Sequence, residues 1–194
     1  IEIKDLVNFS TQQIRSISTY GIKGLSTEMM LTFSGKQISS IETKDLQLLN
    51  SAQIEAISTL ALSNSFNTKQ ILALTTNQYR ALTTDQIAVF GTLQISSIET
   101  RDISFGLTTN QLYGLTTYQI AYLTTKQILS LQSAQIGSIE TENILSLTTK
   151  QLKSINTQSI EGFTTEQISR ISSLQLSSFQ TKQVIKFSSN HNQV

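Results

Sequence analysis

Cysteine, proline and tryptophan are absent from the 194 residues, and histidine occurs once, at His191. Without thiols there is no disulfide framework, no Cys-based zinc site and no redox motif. A single histidine with no cysteine supplies neither a catalytic triad nor a zinc site, so His191 is expected to be a surface residue of the tail. Charge is scarce and balanced. The 14 basic and 13 acidic residues leave a formal net charge of +1, and they are spread along the chain. No run of one sign resembles a nucleic-acid-binding stripe or an acidic tail, so no nucleic-acid partner is expected. No apolar run approaches the length of a membrane span, and no membrane insertion is expected. The phrases G-x-S-x-G, H-E-x-x-H and G-x-G-x-x-G do not occur, nor does a P-loop. The residues from Ile1 onward show no basic n-region, and the chain is expected to be a segment of a longer repeat protein.

What is present is one phrase, repeated. Residues 115–130, LTTYQIAYLTTKQILS, contain an eight-residue unit twice, and the rest of the chain varies it. With columns numbered 1 to 8 from Leu115, the sequence resolves into 24 octads and two single-residue insertions, one near Ser65 and one near Phe105–Gly106. Column 1 is Ile, Leu or Phe in all 24 octads, and column 6 is apolar in 23, the exception being Asn192. Column 3 is Thr or Ser in 22 octads, column 5 is Gln in 15, and all 27 charged residues avoid columns 1, 3 and 6. A pattern this strict defines a repeat architecture before any other feature is considered.

One continuous helix is excluded, because eight residues drift roughly 80° around a 3.6-residue helix and the apolar stripe never closes on a core. A plain strand fails too, since columns 1 and 6 differ in parity and point to opposite faces. Each octad must therefore turn a corner. If column 2 (Thr116, Thr124, Thr148, Thr164) is a helix N-cap, column 5 is N3. Gln119, Gln127, Gln151 and Gln167 then stand where a capping box places Glu or Gln. Columns 1 and 6 become the two ends of a hydrophobic staple. The expected fold is all-α: a solenoid of short capped helices, one per octad, each left through a small column 8 residue such as Ser130 or Ser138. Column 3 is a more regular hydroxyl than a capping box needs. Either it is the true cap, or its Thr ladder bonds to the neighbouring coil. A β-solenoid with Thr ladders is the competing fold, since Ile, Thr and Phe favour strands.

Ordering eight backbone residues costs more than burying two apolar side chains returns, so no octad folds alone and neighbours must share one core. The 194 residues are expected to form a single elongated domain. With two or three octads per coil and coils about 9 Å apart, it would be roughly 70–110 Å long. Octads 1 to 8 are the more degenerate, with Gly21, Met29 and Ala61 replacing the column 5 Gln. Gly106 is a candidate C′ residue ending a slightly longer helix. The last stretch, SSNHNQV, is expected to fray.

Four octads carry Glu at column 2 and Asp or Asn at column 5: Glu2/Asp5, Glu42/Asp45, Glu99/Asp102 and Glu140/Asn143. FQTKQV from Phe179 is a weakened fifth copy. Two carboxylates without a turn-forming loop fall short of a calcium site, and a uniform solenoid has no cleft in which glycosidase carboxylates converge. These octads are expected to be variant caps, and no catalytic, metal or cofactor residue is assigned anywhere in the chain. Seven of the eight Phe occupy column 1 and are core candidates. Tyr20, Tyr113, Tyr118 and Tyr122 are the aromatics expected to be exposed, the last three as a possible contact patch.

The LTTxQIxx phrase, in runs such as 107–130 and 147–168, resembles the octad arrays of giant secreted bacterial surface and adhesin-like proteins. The resemblance implies an extracellular, structural role as stalk, spacer or fibre, and carries over no catalytic or binding residue. Neighbouring repeats, or copies joined end to end, are the expected partners, and no surface partner is specified. A second class of function is a binding module that grips a glycan, ion or protein. Clustering of Glu42, Glu99 and Glu140 on one face would favour it. A third is ice binding, which requires Thr109, Thr117 and Thr125 exposed in a flat array. An enzyme is not expected.

Overall fold

A computed structural model describes residues 3–63 and 65–191; Glu2 and Asn192, named above, lie outside them. Among the described residues there are 22 α-helices and one 3-10 helix, and no strand. The helices are four to six residues long, except the last, Thr181–His191. The all-α expectation holds and the β-solenoid does not. The β-preferring Ile and Thr are overridden because most corners supply cap chemistry that only a helix start can use.

The octad at 147–154 shows the rule. Leu147 and Thr148 are the corner, and Thr149–Ser154 is the helix. Thr148 is extended (φ −70°, ψ 158°) and its hydroxyl accepts the Gln151 N–H at 3.2 Å. The Gln151 Oε1 accepts the Thr148 N–H at 2.8 Å, closing the capping box. The helix ends when Ile155, column 1 of the next octad, turns extended (φ −58°, ψ 132°). No described residue has a positive φ, so the chain leaves each helix without the left-handed cap that would call for glycine. Column 2 is therefore the cap, and column 3 is the first helical residue.

A corner leaves two backbone groups outside the helix: the column 2 N–H and the column 1 carbonyl. Gln at column 5 serves both, in two different coils. Its oxygen takes the N–H of its own octad, while its Nε2 reaches the coil before. Gln151 Nε2 donates to the Ile120 and Leu123 carbonyls at 3.2 and 2.7 Å. Gln53 does the same to Ile22 and Leu25, Gln78 to Leu46 and Leu49, and Gln167 to Ile136 and Ile139. The offsets of 28–32 residues correspond to three octads per coil. Helix packing agrees. In unit 1, Thr11–Arg15 packs on Gly35–Ser40, and that helix on Thr59–Leu62. In unit 2, Thr100–Phe105 packs on Thr125–Ser130, and that helix on Thr149–Ser154. The two compact units are Ile1–Ile98 and Glu99–Val194. Inside each, columns 1 and 6 make the core: Ile120, Ile128 and Ile136 are 0% exposed, and Leu115 and Leu131 1%. Tyr79 takes a column 6 place by donating its buried hydroxyl to the Ile71 carbonyl at 2.6 Å.

Departures from the phrase occur in compensating sets. Ser159 replaces Gln at column 5, and its short hydroxyl reaches only the Leu131 carbonyl, at 2.7 Å. The 3-10 helix Ser159–Gly162 accordingly lies close to Ser133–Ser138. A Cβ on Gly162 would collide with the Ser133 backbone, and one on Gly137 would stand 2.6 Å from the Gly162 oxygen. Gly35 interrupts the column 3 hydroxyls because the inserted Ser65 fills the space above it. A Cβ there would meet the Ala61 oxygen and Ser65 Cβ, each at 3.2 Å.

Two expectations need correction. Gly106 does not lengthen its helix: Thr100–Phe105 has six residues, as Thr92–Ser97 before it has, and Gly106 caps it in right-handed geometry (φ −90°). The C-terminal phrase does not fray through its described part. Residues 188–191 continue the Thr181–His191 helix; the sequence keeps Phe187 and the Ser188 hydroxyl of a corner but, with His191 and Asn192, has neither a box partner nor a staple residue. Phe187 instead packs on Phe163 and Phe179, with ring centroids 5.6 and 5.0 Å apart.

Replacing Gln151 by Leu keeps the volume but strands the Thr148 N–H and the Leu123 carbonyl. A loss of about 3 kcal/mol in chemical denaturation is expected, and a loss below about 1 kcal/mol would show that the amide does not tie the coils. Gly162→Ala should cost about 2 kcal/mol, with Gly114→Ala as a control in unit 2.

Candidate functional site

The Glu-bearing octads are where chemistry was most to be looked for. Glu42, Glu99 and Glu140 occupy the N-cap position, and none of them makes a side-chain cap hydrogen bond. At column 5, Asp45, Asp102 and Asn143 are buried, at 5%, 6% and 4% exposure. Asn143 shows how the shorter side chain is accommodated. Its Nδ2 donates to the Leu115 carbonyl at 2.8 Å, and its Oδ1 accepts the Thr117 hydroxyl at 2.7 Å. Asp45 Oδ1 likewise accepts the Thr19 hydroxyl, at 3.5 Å. Thr19 and Thr117 are column 3 residues of the preceding coil. The extra hydroxyl thus bonds to the next coil at these two places, where column 5 is short.

These pairs do not assemble a metal site. Among the described residues no group of three or more His, Cys, Asp or Glu side chains converges. Glu42 is exposed and pairs with Lys44 at 2.8 Å. Hydrogen bonding to the Lys44 ammonium, aided by its charge, holds the Glu42 carboxyl below its ordinary range and raises Lys44. In unit 2, Glu99 and Glu140 lie five octads apart, so a three-octad coil puts them on different sides. The same count separates Thr109, Thr117 and Thr125. All three are exposed, but they fall in consecutive octads and share no flat face, which counts against ice binding. Gln180, in the weakened fifth copy, reaches the Lys153 carbonyl of the preceding coil at 3.1 Å. Gln132 reaches Ser104 in the same way. Column 2 Gln therefore exchanges a cap for a tether.

Two grooves mark the corners of unit 2. One, of about 580 Å³, is lined by Asn110, Tyr113, Glu140, Glu142 and Glu166 among others. The other, of about 470 Å³, is lined by Arg101, Phe105 and Leu129, and a smaller neighbour beyond Leu129 adds Lys153. Tyr20, Tyr113, Tyr118 and Tyr122 are all exposed. No ring contact joins Tyr113, Tyr118 and Tyr122 into one patch. Phe105 was missed as a surface aromatic: it is 57% exposed, and its column 8 position was the signal. His191 lies in the last helix, and the sequence offers it no second histidine or cysteine. No helix among the described residues is long and apolar enough to cross a membrane.

The geometry defines a class: a repeat protein whose capped octads stack as a solenoid. Within it, residues 64–100 and 95–133 match the ALTTAQ repeat. The second match contains the LTTNQLYG and LTTYQIAY phrases, and the matched stretch is an octad array of the LTTxQ type. A search of curated proteins gave no match to the chain.

The Glu side chains thus stand at the N-cap without capping, contrary to the variant-cap expectation; if these octads are plain structural corners, excess calcium should leave the thermal midpoint unchanged. E42T/D45Q, which restores the regular box, should stabilise the chain by about 1 kcal/mol. A calcium-dependent rise that this double variant abolishes would instead make the pair a cation site.

Proposed function

We propose that the chain is a structural repeat segment, a stalk, spacer or fibre element of an extracellular surface protein, without catalytic activity. One observation carries this proposal: the recurring polar side chains are spent inside the fold. The column 2 hydroxyls cap their own helices and the column 5 amides tie one coil to the next, so the groups the repeat provides in quantity are already engaged. The likeness of the LTTxQIxx phrase to secreted surface arrays supports an extracellular site. A coil offers amide donors towards the coil before it and carbonyl acceptors towards the coil after it. Further repeats, or copies joined end to end, would therefore extend the stack by the same bonds.

A second function, as a binding module, rests on the groove around Tyr113, where an aromatic ring stands beside Asn110 and three carboxylates. The dispersal of Glu99 and Glu140 argues against a face built from the Glu-bearing octads.

Brief protease treatment of intact source cells, followed by mass spectrometry of the released peptides, tests the proposal. Peptides of this chain are expected in the shaved fraction and in the culture medium. Their confinement to the cytoplasmic fraction would overturn it.

A further inference from the structure

Column 4 lies on the exposed side of each helix and is free of capping and core duties, so the charges placed there are not dictated by the fold. In unit 2 they are sorted by side. The stacked helices Thr100–Phe105, Thr125–Ser130 and Thr149–Ser154 carry Arg101, Lys126 and Lys150 at column 4, all exposed. Lys153 adds a fourth exposed cation to this side, and Glu99 is its one exposed carboxylate. The next side is built by Thr117–Tyr122, Thr141–Ile144 and Thr165–Arg170. Its column 4 residues are Tyr118, Glu142 and Glu166, again all exposed. Glu140 lies on the same side. Arg170 contacts Glu142 at 3.4 Å, yet the Glu142 side chain remains 68% exposed.

Like charges set one above another at the spacing of packed helices, about 8–10 Å, repel weakly and contribute nothing to the stack. Their value must lie outside the molecule. Both ladders ride on column 4, so both have the same pitch, set by the coil. They are also in step. Lys126 and Glu142 are two octads apart, as are Lys150 and Glu166, and Arg101 and Tyr118 are two octads plus the inserted Gly106. One displacement along the coil axis therefore matches all three.

We propose that the Arg101–Lys126–Lys150 side of one chain docks on the Tyr118–Glu142–Glu166 side of a second copy, the two lying parallel and offset by the rise of two octads. Lys126 then faces Glu142, Lys150 faces Glu166, and the Arg101 guanidinium lies over the Tyr118 ring in a cation–π contact. The contact is heterologous, with different sides of the two copies meeting, so the pair keeps one free side of each kind and association can continue laterally. It does not depend on end-to-end stacking or on where the protein resides.

Sedimentation velocity of the full chain, at about 0.01 M and about 1 M salt, where the Debye length falls from about 30 to about 3 Å, tests the proposal. Wild-type chain should associate at low salt and dissociate at high salt. K126E/K150E and E142K/E166K, all on exposed positions and checked for unchanged helical circular dichroism, should each weaken low-salt association at least tenfold. Mixed one to one, they should associate again, since the acidic side made in one fits the basic side made in the other. A wild-type chain that stays monomeric at low salt would overturn the proposal, including one that instead binds a polyanion such as heparin. So would association that survives both double substitutions, as an end-to-end contact would, or loss without recovery on mixing.

Discussion

A primary amide is the group on which the stack depends. A corner every eight residues exposes one N–H and one carbonyl that no helix can use, and burying either without a partner costs of order 1–3 kcal/mol. Gln has an acceptor and a two-proton donor held about one side-chain length from the backbone. It can close a capping box with one end and bridge to another coil with the other. Glu would serve the box equally well but could only repel the carbonyls of the preceding coil. The same residue thus sets the start of each helix, the spacing of coils and the count of three octads per coil. The apolar columns then fill the interior that this spacing defines.

The exceptions follow from the same constraint. When Ser159 shortens the bridge, the two backbones move together, and Gly137 and Gly162 stand at the contact. When Asn143 or Asp45 shortens it, a threonine hydroxyl from the preceding coil fills the gap. When Gly21, Met29 or Ala61 removes it, the hydroxyl cap alone remains, on Ser18, Ser26 or Ser58. These losses fall in the first coils, which are also the degenerate part of the repeat.

What could be read directly from the sequence was whatever an octad decides within itself: the cap at Thr116, the box at Gln119, the staple of Leu115 with Ile120. Such features involve residues at most five apart, and spacing reports them. The number of octads per coil was hidden because the residue that sets it was already accounted for. Gln151 at N3 looks fully explained by its own helix, and nothing in the phrase announces a second set of bonds some 30 residues back. The surface suffered for the same reason. Arg101, Lys126 and Lys150 look scattered until the coil count places them in one line. Phe105 resembled the core phenylalanines in type but not in column.

A coil of three identical steps gives insertions and deletions an uneven effect. Adding or losing three octads lengthens or shortens the stack and returns every later side chain to its side. Adding or losing one octad outside the compensating sets leaves the caps, boxes and bridges satisfied, yet turns what lies beyond it in the same unit by about a third of a revolution. Repeat number in such a chain is therefore also an orientation setting. Two lineages differing by a single regular octad would keep the same local bonds while presenting the surfaces beyond it in different directions.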